Sequence, residues 1–228
     1  MTNEHIEAVI FDLDGTLIDS EPVHYLAEKE LLQAYGIDGF TMEMKKPYIG
    51  KSTESIMEAL KEKYHLDASL ESLVAEKIKR YLYLAYRNMD VYPEMRTFLQ
   101  QLKNSNIPLA IASGSSRSII EEILKITELQ PYFSVVVSAE EVAAGKPAPD
   151  VFLKAANDLS INPERCVVLE DSQYGVEAAK RAKMYAIAIP YLSEPPLHPL
   201  FGQADLLFEQ GMSQFSASKA IKWINEKR

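Results

Sequence analysis

The chain has 228 residues, 47% of them hydrophobic and 25% charged, and 24 Lys+Arg against 33 Asp+Glu leave a formal net charge of −9. A chain of this size buries about 70–75% of its unfolded surface without staples, and its single cysteine, Cys166, excludes an internal disulfide framework and fits a reducing compartment. The acidity argues against nucleic acid or an anionic membrane as partner, because affinity for phosphate polymers comes from clustered Lys and Arg.

In chain order, Met1 to His5 lead directly into an apolar run, so no signal peptide is expected. No run of about 18 apolar residues follows, so no membrane span is expected and a cytoplasmic location is. Ile6 to Phe11 reads as a buried strand ending at Asp12. From about Ser20 to Asp90 no strand pattern occurs, and amphipathic helices are expected at Pro22 to Tyr35, Ser52 to Tyr64 and Leu70 to Tyr86. About 70 residues is too long for a loop between neighbouring elements, so this segment reads as an inserted helical domain. Helix Glu94 to Asn104 then precedes strand Ile107 to Ala112, and helix Ser116 to Lys125 precedes strand Val135 to Val137. Helix Asp150 to Leu159, strand Cys166 to Leu169, helix Tyr174 to Lys183 and strand Ala186 to Ile189 continue the alternation. After the Pro-rich loop Pro190 to Pro199, a short strand at Ala204 to Phe208 and a helix from Ser213 to Glu226 close the chain. Strands apolar on successive residues and alternating with helices predict an α/β fold, a doubly wound, Rossmann-like parallel sheet covered on both faces. The expected domains are a core of 1–17 and 91–228 and a helical cap of 18–90.

In such sheets ligands bind beyond the carboxyl ends of the strands, so the residues after each apolar run carry the functional reading. Asp12-Leu13-Asp14-Gly15-Thr16 follows the first run; residues two apart share a side, so both carboxylates can face one site, although a plain Asp-Gly turn has the same pattern. Ser113-Gly114-Ser115-Ser116 follows the second and opens a helix, which makes either an anion site or an ordinary N-cap. Gly145-Lys146-Pro147-Ala148-Pro149-Asp150 follows the third, and its prolines stiffen the loop from which Lys146 leaves. Glu170-Asp171-Ser172 follows the fourth, where acidic residues also suit a helix start. Several carboxylates with water and a phosphate oxygen suit Mg²⁺. Each segment has a bland explanation; all four at one edge of one sheet make a pattern.

Those residues, in that order, resemble the four signature motifs of the haloacid dehalogenase-like (HAD) hydrolase superfamily. Ala143 to Asp150 and Leu169 to Val176 resemble its β-phosphoglucomutase-like and sugar-phosphate phosphatase branch, as does a helical cap inserted after the first motif. The resemblance implies Asp12 as a nucleophile forming an aspartyl-phosphate and Asp14 as the acid/base. It further implies Thr16, Ser113, Gly114 and Lys146 around the phosphoryl group, and Mg²⁺ held by Asp12, the Asp14 carbonyl, Glu170 and Asp171. The superfamily's true dehalogenases lack the second aspartate and its transport ATPases carry Lys in place of Leu13, so phosphatase or phosphomutase is implied.

A mutase must retain a bisphosphate intermediate and needs a second cationic site. The Arg and Lys that serve it in β-phosphoglucomutase align with Thr53 and Ser116 here, which favours the phosphatase, with Lys51 and Arg117 as candidate substitutes for the missing cations. His24 aligns with a histidine found in both branches. Within the cap, Glu21, His24, Tyr48, Lys51, Arg80 and Tyr83 are candidates to face the substrate, with His24 and Lys51 foremost, though each could equally be ordinary cap surface or core. The resemblance implies a small phosphorylated metabolite of the sugar or polyol class as partner, and a monomer or weak dimer. A receiver-like signalling module would share the acidic residues, the hydroxyl and the lysine, but Asp14 and the inserted cap have no place in one.

Overall fold

The computed structural model describes residues 5–228, so the expectation for Met1 to His5 lies outside the described residues except at His5. The described residues form two compact units: the chain up to Ile18 together with Val91–Arg228, and Asp19–Asp90. The strands are β1 (Ala8–Phe11), β2 (Leu109–Ser113), β3 (Val135–Ser138), β4 (Cys166–Glu170), β5 (Tyr185–Ala188) and β6 (Leu206–Leu207). The helices are α1 (Glu21–Ala34), α2 (Met42–Lys45), α3 (Thr53–Tyr64), α4 (Leu70–Asn88), α5 (Pro93–Asn104), α6 (Arg117–Ile126), α7 (Asp150–Asp158), α8 (Gln173–Arg181) and α9 (Ala217–Glu226).

The first unit is an α/β fold with one six-stranded sheet in the order β3-β2-β1-β4-β5-β6, every pairing parallel. Its strands are the continuous apolar runs of the sequence, because each is covered on both faces. β1, β2 and β4 are buried along their whole length, whereas β3, at an edge, is half-exposed at its first two residues. Alternation along the strands sorts the two faces. Ala8, Ile10, Ala110 and Ala112 belong to a core with Phe152 of α7 and Val176 of α8. Phe11 points the other way and meets the ring of Phe98 on α5 edge-on at 5.9 Å. Each fully buried side chain of this size contributes about 1.5–3 kcal/mol, so the two faces rather than helix propensity hold the layers.

The chain runs outward from β1 through β2 to β3, then returns to β4 on the other side of β1. That reversal opens a crevice at the carboxyl ends of β1 and β4. Phe11 pairs with both Ile111 and Leu169, so Asp12, next along the chain, comes out level with Ala112 of β2 and Glu170 of β4.

The second unit is helical. Leu31, Leu32, Ile56, Met57, Leu60 and Leu73, from α1, α3 and α4, form its core. Ser52 Oγ accepts a hydrogen bond from Ser55 N at 3.2 Å and Ser69 Oγ from Ser72 N at 3.1 Å, which caps α3 and α4. α2 and the 3₁₀ turn Lys46–Tyr48 after it were not anticipated by periodicity. Four residues are too few to display a period of 3.6, and Pro47 stops the helix from continuing.

This unit also buries charge. Lys45 is 1% exposed and Glu28 is fully buried, with Lys45 Nζ donating to Glu28 Oε1 at 2.8 Å and lying 3.5 Å from Glu21 Oε2. Among the described residues no helix is long and apolar enough to cross a membrane.

Candidate active site

Asp12 stands one residue beyond β1, and its backbone N–H donates to Leu169 O at 3.0 Å, which extends the ladder toward β4. The chain then turns sharply: Gly15 N donates to Ile18 O at 3.0 Å and Leu17 N to Leu13 O at 3.0 Å. Gly15 makes that turn at φ +76, and a Cβ there would stand 2.4 Å from Asp171 Oδ2. Glycine is therefore needed twice, for the left-handed backbone and for the close approach of the first motif to the fourth. Thr16 is fully buried, and its Oγ1 has no hydrogen-bond partner among the described residues.

β4 delivers Glu170 and Asp171 to the same crevice. Glu170 is 1% exposed; its Oε2 accepts from Ser172 N at 3.1 Å and Ser172 Oγ at 3.0 Å, and its Oε1 accepts from Lys146 Nζ. Lys146 Nζ also donates to Asp12 Oδ1 at 2.5 Å and lies 4.9 Å from the centre of the Phe152 ring. The ammonium thus bridges a carboxylate from β1 and one from β4. Asp12, Glu170 and Asp171 each offer an oxygen, and these atoms all lie within 4.8 Å of one another.

Burial pushes the Asp12 carboxyl well above the ordinary carboxylate range; Lys146 pulls against that, while Glu170 and Asp14 add to it. For Lys146 burial works against the charge, but the pull of Asp12 and Glu170 prevails and holds the ammonium above its ordinary value. Asp12, Glu170 and Asp171 are all buried where their oxygens converge, with the Lys146 ammonium bridging two of them. A cluster of buried hard oxygens fits a divalent cation of the Mg²⁺ kind.

The second-motif loop follows β2. Ser113 is 1% exposed and its Oγ accepts from Ser115 N at 3.0 Å. Gly114 is exposed, with open space where a Cβ would be. Ser115 Oγ donates to Asp14 Oδ2 at 2.8 Å, a contact across 101 positions that no local pattern announces. Three serines stand within four residues here, and only the fold distinguishes the one that reaches Asp14.

Arg117, a candidate second cation, is engaged elsewhere: it donates to Glu121 Oε1 at 2.7 Å, to Glu141 Oε1 at 3.2 Å and to the Val136 carbonyl. Within the helical unit, Lys77 is 1% exposed and lies 2.8 Å from His24 Nδ1 and 3.1 Å from Thr53 Oγ1. His24 also stacks on Tyr81, with ring centroids 4.1 Å apart. Lys77 carries no signal of its own in the sequence, because it sits inside a helical stripe of core residues. Lys51 is exposed, with its ammonium 5.6 Å from the centre of the Tyr48 ring. Arg80 pairs with Glu76 at 3.0 Å, Glu21 with Lys45, and the exposed Tyr83 lies under the Arg87 guanidinium at 4.0 Å.

A family model described as haloacid dehalogenase-like hydrolase matches residues 9–189. The chain is 34% identical over 192 residues to the fructose-1-phosphate phosphatase YqaB of Escherichia coli (strain K12), spanning 83% of this chain and 99% of that protein. It is 33% identical over 191 residues to the beta-phosphoglucomutase of Bacillus subtilis (strain 168), spanning 81% of this chain and 83% of that one. Among solved structures, CbbY from Rhodobacter sphaeroides in complex with phosphate shares the fold with a TM-score of 0.80 and 27% identity, over 91% of this chain and 95% of that one. The chain belongs to the haloacid dehalogenase-like hydrolase family.

Proposed function

We propose that this member of the family is a phosphatase that hydrolyses a small phosphorylated carbohydrate through an aspartyl-phosphate on Asp12. The observation that carries the reading is the unequal setting of the two first-motif carboxylates. Asp12 is buried against Lys146, whose charge opposes the effect of burial and favours the ionised, nucleophilic form of the carboxyl. Asp14 accepts a hydrogen bond from the neutral Ser115 hydroxyl, as suits a group that must both give and take a proton.

In the first half-reaction an Asp12 oxygen attacks phosphorus, the bond from phosphorus to the ester oxygen breaks, and Asp14 donates its proton to the leaving oxygen. In the second, Asp14 takes a proton from water as that water attacks phosphorus and releases Asp12. Lys146 balances charge between Asp12 and the phosphoryl group, which Thr16 and Ser113 hydroxyls and the Gly114 N–H help to hold. The unpartnered Thr16 Oγ1 supports that assignment. Mg²⁺ would be held by Asp12, the Asp14 carbonyl, Glu170 and Asp171, and when bound it neutralises and orients the two anions that must meet. The reading includes a cytoplasmic location, a monomer or weak dimer, and no nucleic-acid or membrane partner at a net charge of −9.

Hydrolysis is favoured over internal transfer because Arg117 is held by Glu121 and Glu141 and Thr53 stands where a mutase carries its cap cation. The relatives include both activities, so the experiment separates them. Purified protein with Mg²⁺ is expected to release inorganic phosphate from hexose phosphates, and Asp12→Asn to abolish it. Conversion of β-glucose 1-phosphate to glucose 6-phosphate with a bisphosphate primer and no net phosphate release would establish the mutase instead.

A further inference from the structure

We propose that Ser115 is a positioning residue for Asp14: its hydroxyl fixes the plane of the carboxylate that exchanges protons with the leaving group. The inference rests on the phosphatase reading and adds a residue to it.

The serine is prepared for this by bonds on both sides of its own backbone. Its N–H donates to Ser113 Oγ at 3.0 Å, and its carbonyl accepts from Ser138 Oγ at 2.7 Å. Ser138 is itself fully buried at the end of β3; its N–H donates to Glu141 Oε1 at 2.9 Å, and its Oγ accepts from Glu140 N at 3.1 Å. The loop is therefore tied to two adjacent strands.

A serine at the start of a helix ordinarily turns its hydroxyl to the free N–H groups there. Ser115 does not. The N-cap of α6 is Ser116, and the Ser115 hydroxyl is directed to Asp14 Oδ2 at 2.8 Å. A serine hydroxyl has one proton to give, and here it goes to one oxygen of the acid/base. Holding Oδ2 sets the direction of Oδ1, the oxygen that must meet first the ester oxygen and then water. A single methylene stem gives the hydroxyl little freedom once the backbone is pinned, so the aim is set by the strands rather than by the loop.

The test uses the leaving group. A phenolate departs without help from an acid, whereas a sugar alkoxide needs the proton. kcat/KM reports events up to the first irreversible step, the phosphoryl transfer to Asp12. Full-length wild type, Ser115→Ala and Ser115→Thr are compared with p-nitrophenyl phosphate and with a hexose phosphate ester of a primary alcohol. Ser115→Ala should lower kcat/KM for the hexose phosphate by about 10- to 100-fold, the scale of a catalytic group left about 1 Å out of place. It should change the p-nitrophenyl phosphate value by less than about threefold, since that ester gains little from a general acid. Ser115→Thr, which keeps the hydroxyl, should recover most of the loss. An equal fall on both substrates would make Ser115 merely structural, and no fall on either would remove its role; both overturn the inference. If the alanine variant does not fold, Ser115→Cys, similar in size but a weak donor, carries the same comparison. Wild type that hydrolyses neither ester overturns the phosphatase reading itself, whereas active wild type with an unaffected Ser115→Ala overturns only the positioning role.

Discussion

Gly175 lies in the first turn of α8, and an exposed glycine there could be replaced by alanine with a gain of about 0.8–1 kcal/mol in helix propensity. The site reverses that sign. A Cβ on Gly175 would stand 1.9 Å from Glu170 Oε1, against the 3.0 Å below which real Cβ contacts essentially never fall, so the carboxylate would have to retreat by at least 3.0 − 1.9 = 1.1 Å. The Glu170 stem can swing that far only by giving up Ser172 and Lys146. Crowding a packed site in this way costs about 1–3 kcal/mol, so the net loss of stability for Gly175→Ala is about 0–2 kcal/mol and denaturation is a blunt readout. The requirement for the cation is the sharp one. Displacing a carboxylate of the cluster should raise the Mg²⁺ concentration for half-maximal phosphate release by about 10–100-fold, the range seen when groups that orient metal ligands are lost. Turnover at saturating Mg²⁺ should fall by about 100-fold, as for a 1 Å misplacement. The assay is phosphate release against Mg²⁺ concentration, with circular dichroism to show that the variant is folded. A Gly175→Ala protein with the wild-type Mg²⁺ requirement and turnover would refute the reasoning, because the carboxylate and the methyl group cannot share one position.

Three further outcomes are expected. The folded-state pKa of Asp12 is raised above its ordinary 3.8, chiefly by burial, so the stability linked to its protonation is fully present below that value and is lost as pH rises through the raised one. In the metal-free protein Asp12→Asn should therefore gain on wild type in urea denaturation as pH increases; a constant difference across pH would contradict this. Lys45→Met leaves Glu28 and Glu21 buried without their cation, which should cost about 3–5 kcal/mol of stability in the helical unit, and a loss below about 1 kcal/mol in chemical denaturation would count against it. Ser52→Ala removes the cap of α3 and should cost about 1 kcal/mol, checked the same way, with an unchanged midpoint as the opposing result.

Much of this protein is legible along the chain because its main signals are local. Parallel strands buried on both faces must be apolar at successive residues, so β1, β2, β4 and β5 announce themselves, with ends displaced by one or two residues. The site residues follow because a parallel sheet puts all its carboxyl ends on one edge, so Asp12, Ser113 and Glu170 could be read as neighbours before any distance was known. The absence of a strand pattern between Ser20 and Asp90 was equally informative. β6, a half-buried edge strand of two residues, lies inside the expected Ala204 to Phe208, whereas α2, of four residues, is too short to carry a period.

What the chain order could not decide is how side chains far apart use their charges and protons. Arg117 looks available as a cation in the sequence, and three acceptors engage it in the fold. Lys77 looks like part of an apolar stripe and sits against His24 and Thr53. Ser115 is one serine among three until its hydroxyl meets Asp14. The residue types and their order specify which chemistry is present, because periodicity and strand ends are properties of neighbours in sequence. The tertiary structure alone assigns partners, because a hydrogen bond or an ion pair depends on a few tenths of an ångström between groups that the chain separates by a hundred residues.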